Sequence, residues 1–251
     1  MKTMQQAALA GLCLLGAVPV QAAPLTGQVA NWHMDEERGQ QVADLSGNKR
    51  HGTLGPTAAI EPQDPTWTLR RFDNAALAFD GQEDYVKVAH SLALQPARLS
   101  VEAWVKAGEI PVDYPRYVVA KGADGCHRAT YAIYTSGNGG LSFYVSVGDS
   151  YVESPVAGPG VWDGAWHHVV GTYDRAAVRL YVDGVEVGEG VASTLPIAYP
   201  AFTFKNLYIG DYDGDTAVCG NLANFPGAID DVRIWNRALT AAEVAERAAG
   251  Y

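Results

Sequence analysis

Turn signals punctuate this chain at close intervals, and that spacing favours short strands over long helices. Asp-Gly pairs stand at Asp80-Gly81, Asp124-Gly125, Asp163-Gly164, Asp183-Gly184 and Asp213-Gly214, and Ser136-Gly137-Asn138-Gly139-Gly140 is a further break. Between them apolar and polar residues alternate. In Leu99–Lys106, Leu99, Val101, Ala103 and Val105 share one face and Ser100, Glu102, Trp104 and Lys106 the other. Leu141–Val147 repeats the pattern, with Phe143 and Val145 opposite Tyr144 and Ser146. Such alternation predicts strands with one face on a core. Around Asp183-Gly184, Val178–Val182 leads into Val185–Val187, and the Asp-Gly pair predicts a type I′ turn because both central residues need positive φ. Several short strands at this spacing predict an all-β sandwich rather than βαβ units. The exception is the C-terminus, where Thr240 and Glu243 form a capping-box pair ahead of Val244 and several alanines.

The 251 residues suffice for one well-buried domain, and 48% hydrophobic with only 18% charged residues excludes a disordered chain. A formal net charge of −10 argues against nucleic acid or an anionic membrane as the main partner. Lys2, the apolar stretch Ala7–Val20 and the small residues of Val20-Gln21-Ala22 have the form of a secretory signal, too short and wrongly flanked for a membrane span. Cleavage after Ala22 leaves one domain over residues 23–251, exported to an extracellular or periplasmic space, with no membrane insertion expected. It also removes Cys13, leaving Cys126 and Cys219. In an oxidising compartment these are expected to pair, the alternative being two free thiols. Metal-type Cys-x-x-Cys spacing is absent, which argues against zinc.

Several stretches together resemble one family. Trp32-His33-Met34-Asp35-Glu36-Glu37, Asp44-Leu45-Ser46-Gly47-Asn48 and Gly52-Thr53-Leu54 are similar to the opening of laminin-G-like domains. Leu77-Ala78-Phe79-Asp80-Gly81, Asp84-Tyr85-Val86 and Val101-Glu102-Ala103-Trp104-Val105 continue the likeness. Trp166-His167-His168-Val169 through Leu180-Tyr181-Val182-Asp183-Gly184 is its most characteristic piece, and Ile229-Asp230-Asp231-Val232-Arg233-Ile234-Trp235 with Ala238-Leu239-Thr240 closes it. The resemblance implies a concanavalin A-like jelly roll of two antiparallel sheets with a short C-terminal helix. It also implies a secreted binding or adhesion module, often for glycans and often holding calcium.

Calcium takes six to eight hard oxygens, and the turn Asp44–Asn48 offers a carboxylate, a glycine and an amide oxygen. Asp230 shares parity with Val232 and Ile234, so it is expected on the core face, where a carboxylate is costly unless paired, hydrogen-bonded or bound to a cation. The resemblance places the opening loop beside this closing strand. The expected ligands of a structural calcium are therefore Asp44, Asn48 and Asp230, with the Gly52 carbonyl as a weaker addition. The competing reading is an ordinary Asx turn and an Asp230–arginine pair. Asp211, Asp213 and Asp215 make a second acidic cluster without EF-hand spacing, read first as a solvated loop and second as another cation site. Cys219 lies in the same stretch, so a bridge to Cys126 would bring two loops together at one end of the sandwich. That surface is the first expected for ligand contact, with Tyr212 as an aromatic platform. Trp162, in a Gly-Pro-Gly-rich segment, is the tryptophan expected to be exposed.

The same sandwich hosts glycoside hydrolases and lyases, so fold does not decide activity. A retaining hydrolase needs two carboxyl groups about 5 Å apart. The Glu-x-Asp-x-x-Glu strand that hydrolases of this fold resemble is absent, as are the lyase-like Gln-Ile-His and Lys-x-x-x-Tyr-x-Gln runs. His167 and His168 are adjacent and diverge on a strand, which reads as one packed histidine rather than a base pair. The leading expectation is a non-catalytic module for carbohydrate or matrix glycan. The alternatives are a polysaccharide-degrading enzyme and an adhesion subunit that meets an extracellular protein.

Overall fold

The computed structural model describes residues 26–71, 74–123, 128–199, 205–212 and 223–250. Residues 1–22, expected to be a leader, and Cys126, Cys219, Asp213 and Asp215 lie outside the described residues. The strands are β1 Gln28–Trp32, β2 Gln41–Val42, β3 Gly52–Leu54, β4 Thr66–Arg71, β5 Asn74–Asp80, β6 Val86–Val88, β7 Leu99–Lys106, β8 Tyr117–Lys121 and β9 Tyr131–Thr135. They continue as β10 Leu141–Val147, β11 Ser150–Glu153, β12 Trp166–Tyr173, β13 Ala177–Val182, β14 Val185–Glu186, β15 Val191–Ala192, β16 Leu207–Ile209 and β17 Pro226–Trp235, before helix α1, Ala241–Ala249.

These form two antiparallel sheets. A nine-stranded sheet runs β14-β13-β12-β7-β17-β5-β4, with β1 added beside β17 and β15 beside β13. An eight-stranded sheet runs β11-β10-β9-β8-β16-β6-β3-β2. The alternation in β7 and β10 sets their packing: Leu99, Val101, Ala103 and Val105 meet Leu141, Phe143, Val145 and Val147 in one core. Gly171 on β12 is part of that fit. A Cβ there would lie 2.2 Å from the Phe143 ring, so only glycine lets the ring approach. The β13–β14 turn has Asp183 at φ 50° and Gly184 at φ 82°, the two positive values that a type I′ turn requires.

The outward face of the nine-stranded sheet is covered in part. Helix α1 begins with a complete Thr240–Glu243 capping box. It buries Val244 against Leu239, Trp235, Val170 and Tyr181. Its Arg247 donates to Glu102 Oε2 at 2.7 Å. Glu102 and His168, both fully buried, are joined at 2.9 Å through His168 Nε2.

One expectation about facing is overturned in β17. Simple parity placed Asp230 on the core face with Val232 and Ile234. Asp231, at φ 52°, sits in a register break between Asp230 and Arg233. The extra residue of such a bulge shifts the alternation by one position. Ile229, Val232 and Ile234 therefore remain in the core, while Asp230 pairs with Trp104 and Arg233 with Glu102 on the outward face.

Candidate functional site

The other outward face, that of the eight-stranded sheet, is paved with tyrosines. On β9 and β10, Ile133, Phe143 and Val145 take the core side, which turns Tyr134 and Tyr144 outward beside Ala120 and Ala132. Tyr117 joins them from β8, and Tyr212 returns from the stretch after β16. Tyr212 stacks on Tyr117 with centroids 5.0 Å apart and planes at 16°. Tyr117 stacks on Tyr134 at 5.6 Å, Tyr134 meets Tyr144 edge-on at 4.8 Å, and Tyr144 meets Tyr151 at 5.3 Å. The run is unbroken and ends at the edge strand β11, where Tyr151 is 47% exposed.

Its polar groups are placed as firmly as its rings. The Tyr134 hydroxyl donates to Glu153 Oε1 at 2.8 Å. The Tyr144 hydroxyl accepts the Ala129 N–H at 2.7 Å and lies 3.5 Å from the Tyr117 hydroxyl. Burial pushes Tyr117 up to about 12 and lifts Tyr144 well above the ordinary tyrosine range. Burial raises Tyr134 too, reinforced by the Glu153 charge. These hydroxyls therefore stay protonated, available as neutral donors and acceptors. Near the Tyr212 end, Asp211 is buried, and Asp84 is pushed up to about 6 by burial and neighbouring carboxylates, although it accepts the Asp80 N–H at 2.7 Å.

The two aromatic contacts expected from sequence are both more enclosed than expected. Tyr212 is 9% exposed because Tyr117 covers one face of its ring. Trp162 is 6% exposed: its indole Nε1 donates to the Gly139 carbonyl at 2.8 Å, and its ring lies against Phe225. The exposed member is instead Tyr151. Its neighbour Tyr144 was already visible as the residue opposite Phe143 in the β10 alternation. Nothing in the sequence indicated that the chain after β16 returns to Tyr117.

The expected calcium ligands are otherwise engaged. Asp44 Oδ1 accepts the Asn31 and Ser46 N–H groups at 3.0 and 2.9 Å, and Oδ2 accepts that of Arg50 at 2.9 Å. Asn48 Nδ2 donates to the Val29 carbonyl and Ser46 Oγ, at 3.1 and 3.0 Å. Gly52 lies in β3, paired with Val42 and Val88. Asp230 meets Arg70 Nη1 at 2.8 Å and Asp231 meets the same atom at 3.1 Å. The turn and Asp230 thus each satisfy their charge with partners inside the protein. Among the described residues no group of three or more His, Cys, Asp and Glu is arranged to hold a metal. Asp213, Asp215, Cys126 and Cys219 lie outside those residues. Their described neighbours do converge: Ala123, Ala129, Tyr212 and Ala223 belong to the same tyrosine cluster.

The buried Glu102 of the nine-stranded sheet faces Arg233 and Arg247. Burial would raise Glu102, but His168, Arg233 and Arg247 hold it below the usual carboxylate range.

Two antiparallel sheets packed face to face, with one outward face partly covered by a helix and the other lined by aromatic rings, define a lectin-like β-sandwich. The chain belongs to the laminin-G-like family of the concanavalin A-like lectin/glucanases superfamily, which it matches over residues 80–245. No curated protein matches its sequence. Among solved structures it is similar to domain 4 of AbnA, a GH43 extracellular arabinanase from Geobacillus stearothermophilus, in complex with arabinotriose. That likeness has TM-score 0.64 and 19% identity and covers 88% of this chain and 98% of that one. Trypanosoma rangeli sialidase in complex with sialic acid aligns with TM-score 0.60 and 18% identity, over 91% of this chain and 34% of that one. The binding domain of Paraclostridial Mosquitocidal Protein 1 aligns with TM-score 0.64 and 13% identity, over 88% and 52%. The chain thus spans about a third of the sialidase and about half of the toxin chain. At these identities the likeness establishes the fold.

Proposed function

We propose that this chain is an exported, non-catalytic module that binds carbohydrate on the tyrosine-lined face of its eight-stranded sheet. The observation that carries the reading is the run of rings from Tyr212 to Tyr151, with Tyr151 half exposed on an edge strand and Glu153 beside it. A sugar ring offers C–H faces to an aromatic plane and hydroxyls to fixed polar groups, so Tyr151 supplies the stacking surface and Glu153 accepts a sugar hydroxyl. The buried tyrosines behind them hold both in place. The leader supports export, and the arabinotriose complex of the similar arabinanase domain supports the ligand class. A binding rather than catalytic role is supported by Glu102, Asp230 and Asp231, whose carboxylates are buried against arginines instead of flanking an open cleft.

A polysaccharide array probed with the exported chain tests this. Binding to neutral glycans, lost in Tyr151→Ala and weakened in Glu153→Gln without a change in melting temperature, is the expected result. Release of reducing sugar or unsaturated uronate from any bound polysaccharide would sink the non-catalytic reading. No glycan signal at all would favour a protein partner.

A further inference from the structure

The nine-stranded sheet carries an open groove of about 330 Å³ on its outward face, away from the tyrosines. Its floor and one wall come from a single row of cross-strand partners. Trp166 on β12 pairs with Lys106 on β7, Lys106 with Ala228 on β17, and Ala228 with Ala78 on β5. Partners opposite one another in antiparallel strands project to the same side of the sheet. Lys106 alternates with core-facing Val105, so that side is the outward one. The side chains of Ala228 and Ala78 end at Cβ and leave a trough. Trp166 and Lys106 stand at one end, Thr68 and Leu69 of the edge strand β4 at the other.

The row beside the trough is filled. There the Arg70 guanidinium lies 4.1 Å from the Trp104 ring centroid and 5.4 Å from that of Trp166. It is anchored in turn by Asp230 and Asp231. Arg70 does not line the groove, whereas Trp166 does, so the indole stands as a braced wall. Lys106 differs from Arg70. It is exposed, and among the described residues it has no carboxylate partner.

We infer that this groove is a second carbohydrate site, selective for a sugar ring that bears a carboxylate. Trp166 offers the stacking plane, the Lys106 ammonium pairs with the carboxylate, and the Thr68 hydroxyl reaches the far side of the ring. The volume lies within the range of small-ligand sites. The net charge of −10 opposes an anionic ligand at long range, but physiological salt screens beyond about 8 Å, leaving the local cation to decide. The inference stands apart from the tyrosine-face reading, since the two sites lie on different sheets.

The test is titration of the whole chain with a panel of trigalacturonate, glucuronate, mannuronate and sialic acid, read by tryptophan fluorescence and calorimetry, with galactotriose as the neutral control. At least one acidic sugar should bind at least tenfold more tightly than galactotriose. Lys106→Gln should weaken that binding at least tenfold, and Trp166→Ala and the groove-filling Ala228→Leu should each remove it, with melting temperatures recorded for all three. Should Trp166→Ala or Ala228→Leu unfold the chain, the exposed Lys106→Gln decides alone. No binding by any of the four acids up to millimolar concentration overturns the inference. So does acid binding that Lys106→Gln leaves unchanged. Failure here leaves neutral-glycan binding at Tyr151 untouched, and the reverse also holds.

Discussion

Arg70 and Asp230 are 160 positions apart in the chain, yet the guanidinium donates to the carboxylate at 2.8 Å with both side chains almost wholly buried. This contact ties the edge strand β4 to the centre of the nine-stranded sheet, and it sets Arg70 against Trp104 and against Trp166, the wall of the groove. Removing Arg70 takes the buried cation from Asp230 and one of two from Asp231. Arg70→Ala should therefore cost about 3–5 kcal/mol in urea unfolding. The double variant Arg70→Ala/Asp230→Asn should recover part of that loss.

The same carboxylate sets a pH dependence. Burial and the charge of Asp231 push Asp230 up to about 7, against the pull of Arg70. Its folded value lies above the unfolded one of 3.8, so the folded state binds the proton more tightly. Stability should fall as pH rises from about 4 to about 7. Urea midpoints at pH 5 and pH 8 in wild type and Asp230→Asn measure it. An unchanged slope in the variant would show that another group is responsible.

His167 titrates in a second place. Its Nδ1 lies 2.7 Å from Asp183 Oδ2 and its Nε2 3.2 Å from Asp163 Oδ1, so the ring bridges two turns. Burial works against the charged ring, but the two aspartates outweigh it and raise the pKa above 6.5. The bridge should contribute fully below pH 6.5 and be lost as pH rises through the folded value. Both carboxylates are half exposed, so His167→Gln should cost less than about 1 kcal/mol at pH 6 and nearly nothing at pH 9. Proton NMR titration of the imidazole reads the shift directly.

Local patterns made much of the fold legible. The alternation in Leu99–Lys106 gives the bounds of β7 and its core face, Asp183-Gly184 gives its turn, and Thr240 with Glu243 gives the start of α1. What stayed hidden depends on contacts between distant segments. The bulge at Asp231 needs a positive φ at an aspartate, which no neighbouring residue announces, and it reverses the facing of Asp230. Trp162 lies in a glycine-rich segment that looks open, yet the Gly139 carbonyl and Phe225 enclose it. The groove was half visible. Lys106 stood opposite the core face in the alternation, but its partners Ala228 and Ala78 emerge only with strand register.

Asp44 separates a structural turn from a calcium site. Burial would raise its pKa, but the Ser46 side chain and the Arg50, Ser46 and Asn31 N–H groups hold it below 3.8. Asp44→Ala strands three partly buried donors and should cost about 1–3 kcal/mol. The loss should be the same in EDTA and in millimolar calcium. A calcium-dependent melting temperature in wild type that Asp44→Ala abolishes would restore the cation at this turn.

Cys126 and Cys219 are flanked by residues that pack together. Ala123 and Ala129, on either side of the first cysteine, pack in one cluster with Tyr212 and Ala223, on either side of the second. Ala223 also accepts the Tyr117 N–H at 2.9 Å, which holds the return of the chain against β8. The flanks therefore lie in one cluster, and the proposed export would place them in an oxidising compartment where a bridge can form. A loop of 93 positions gives about 4–5 kcal/mol of stabilisation as an upper figure from chain entropy. The exported chain, denatured without reductant, should show no titratable thiol. Reduction, or Cys126→Ser, should lower the melting temperature and loosen Tyr212 from Tyr117, read as increased tyrosine accessibility. Two free thiols per chain under non-reducing conditions would remove the bridge and leave the tyrosine stack and the Tyr117–Ala223 hydrogen bond to hold that end of the sandwich.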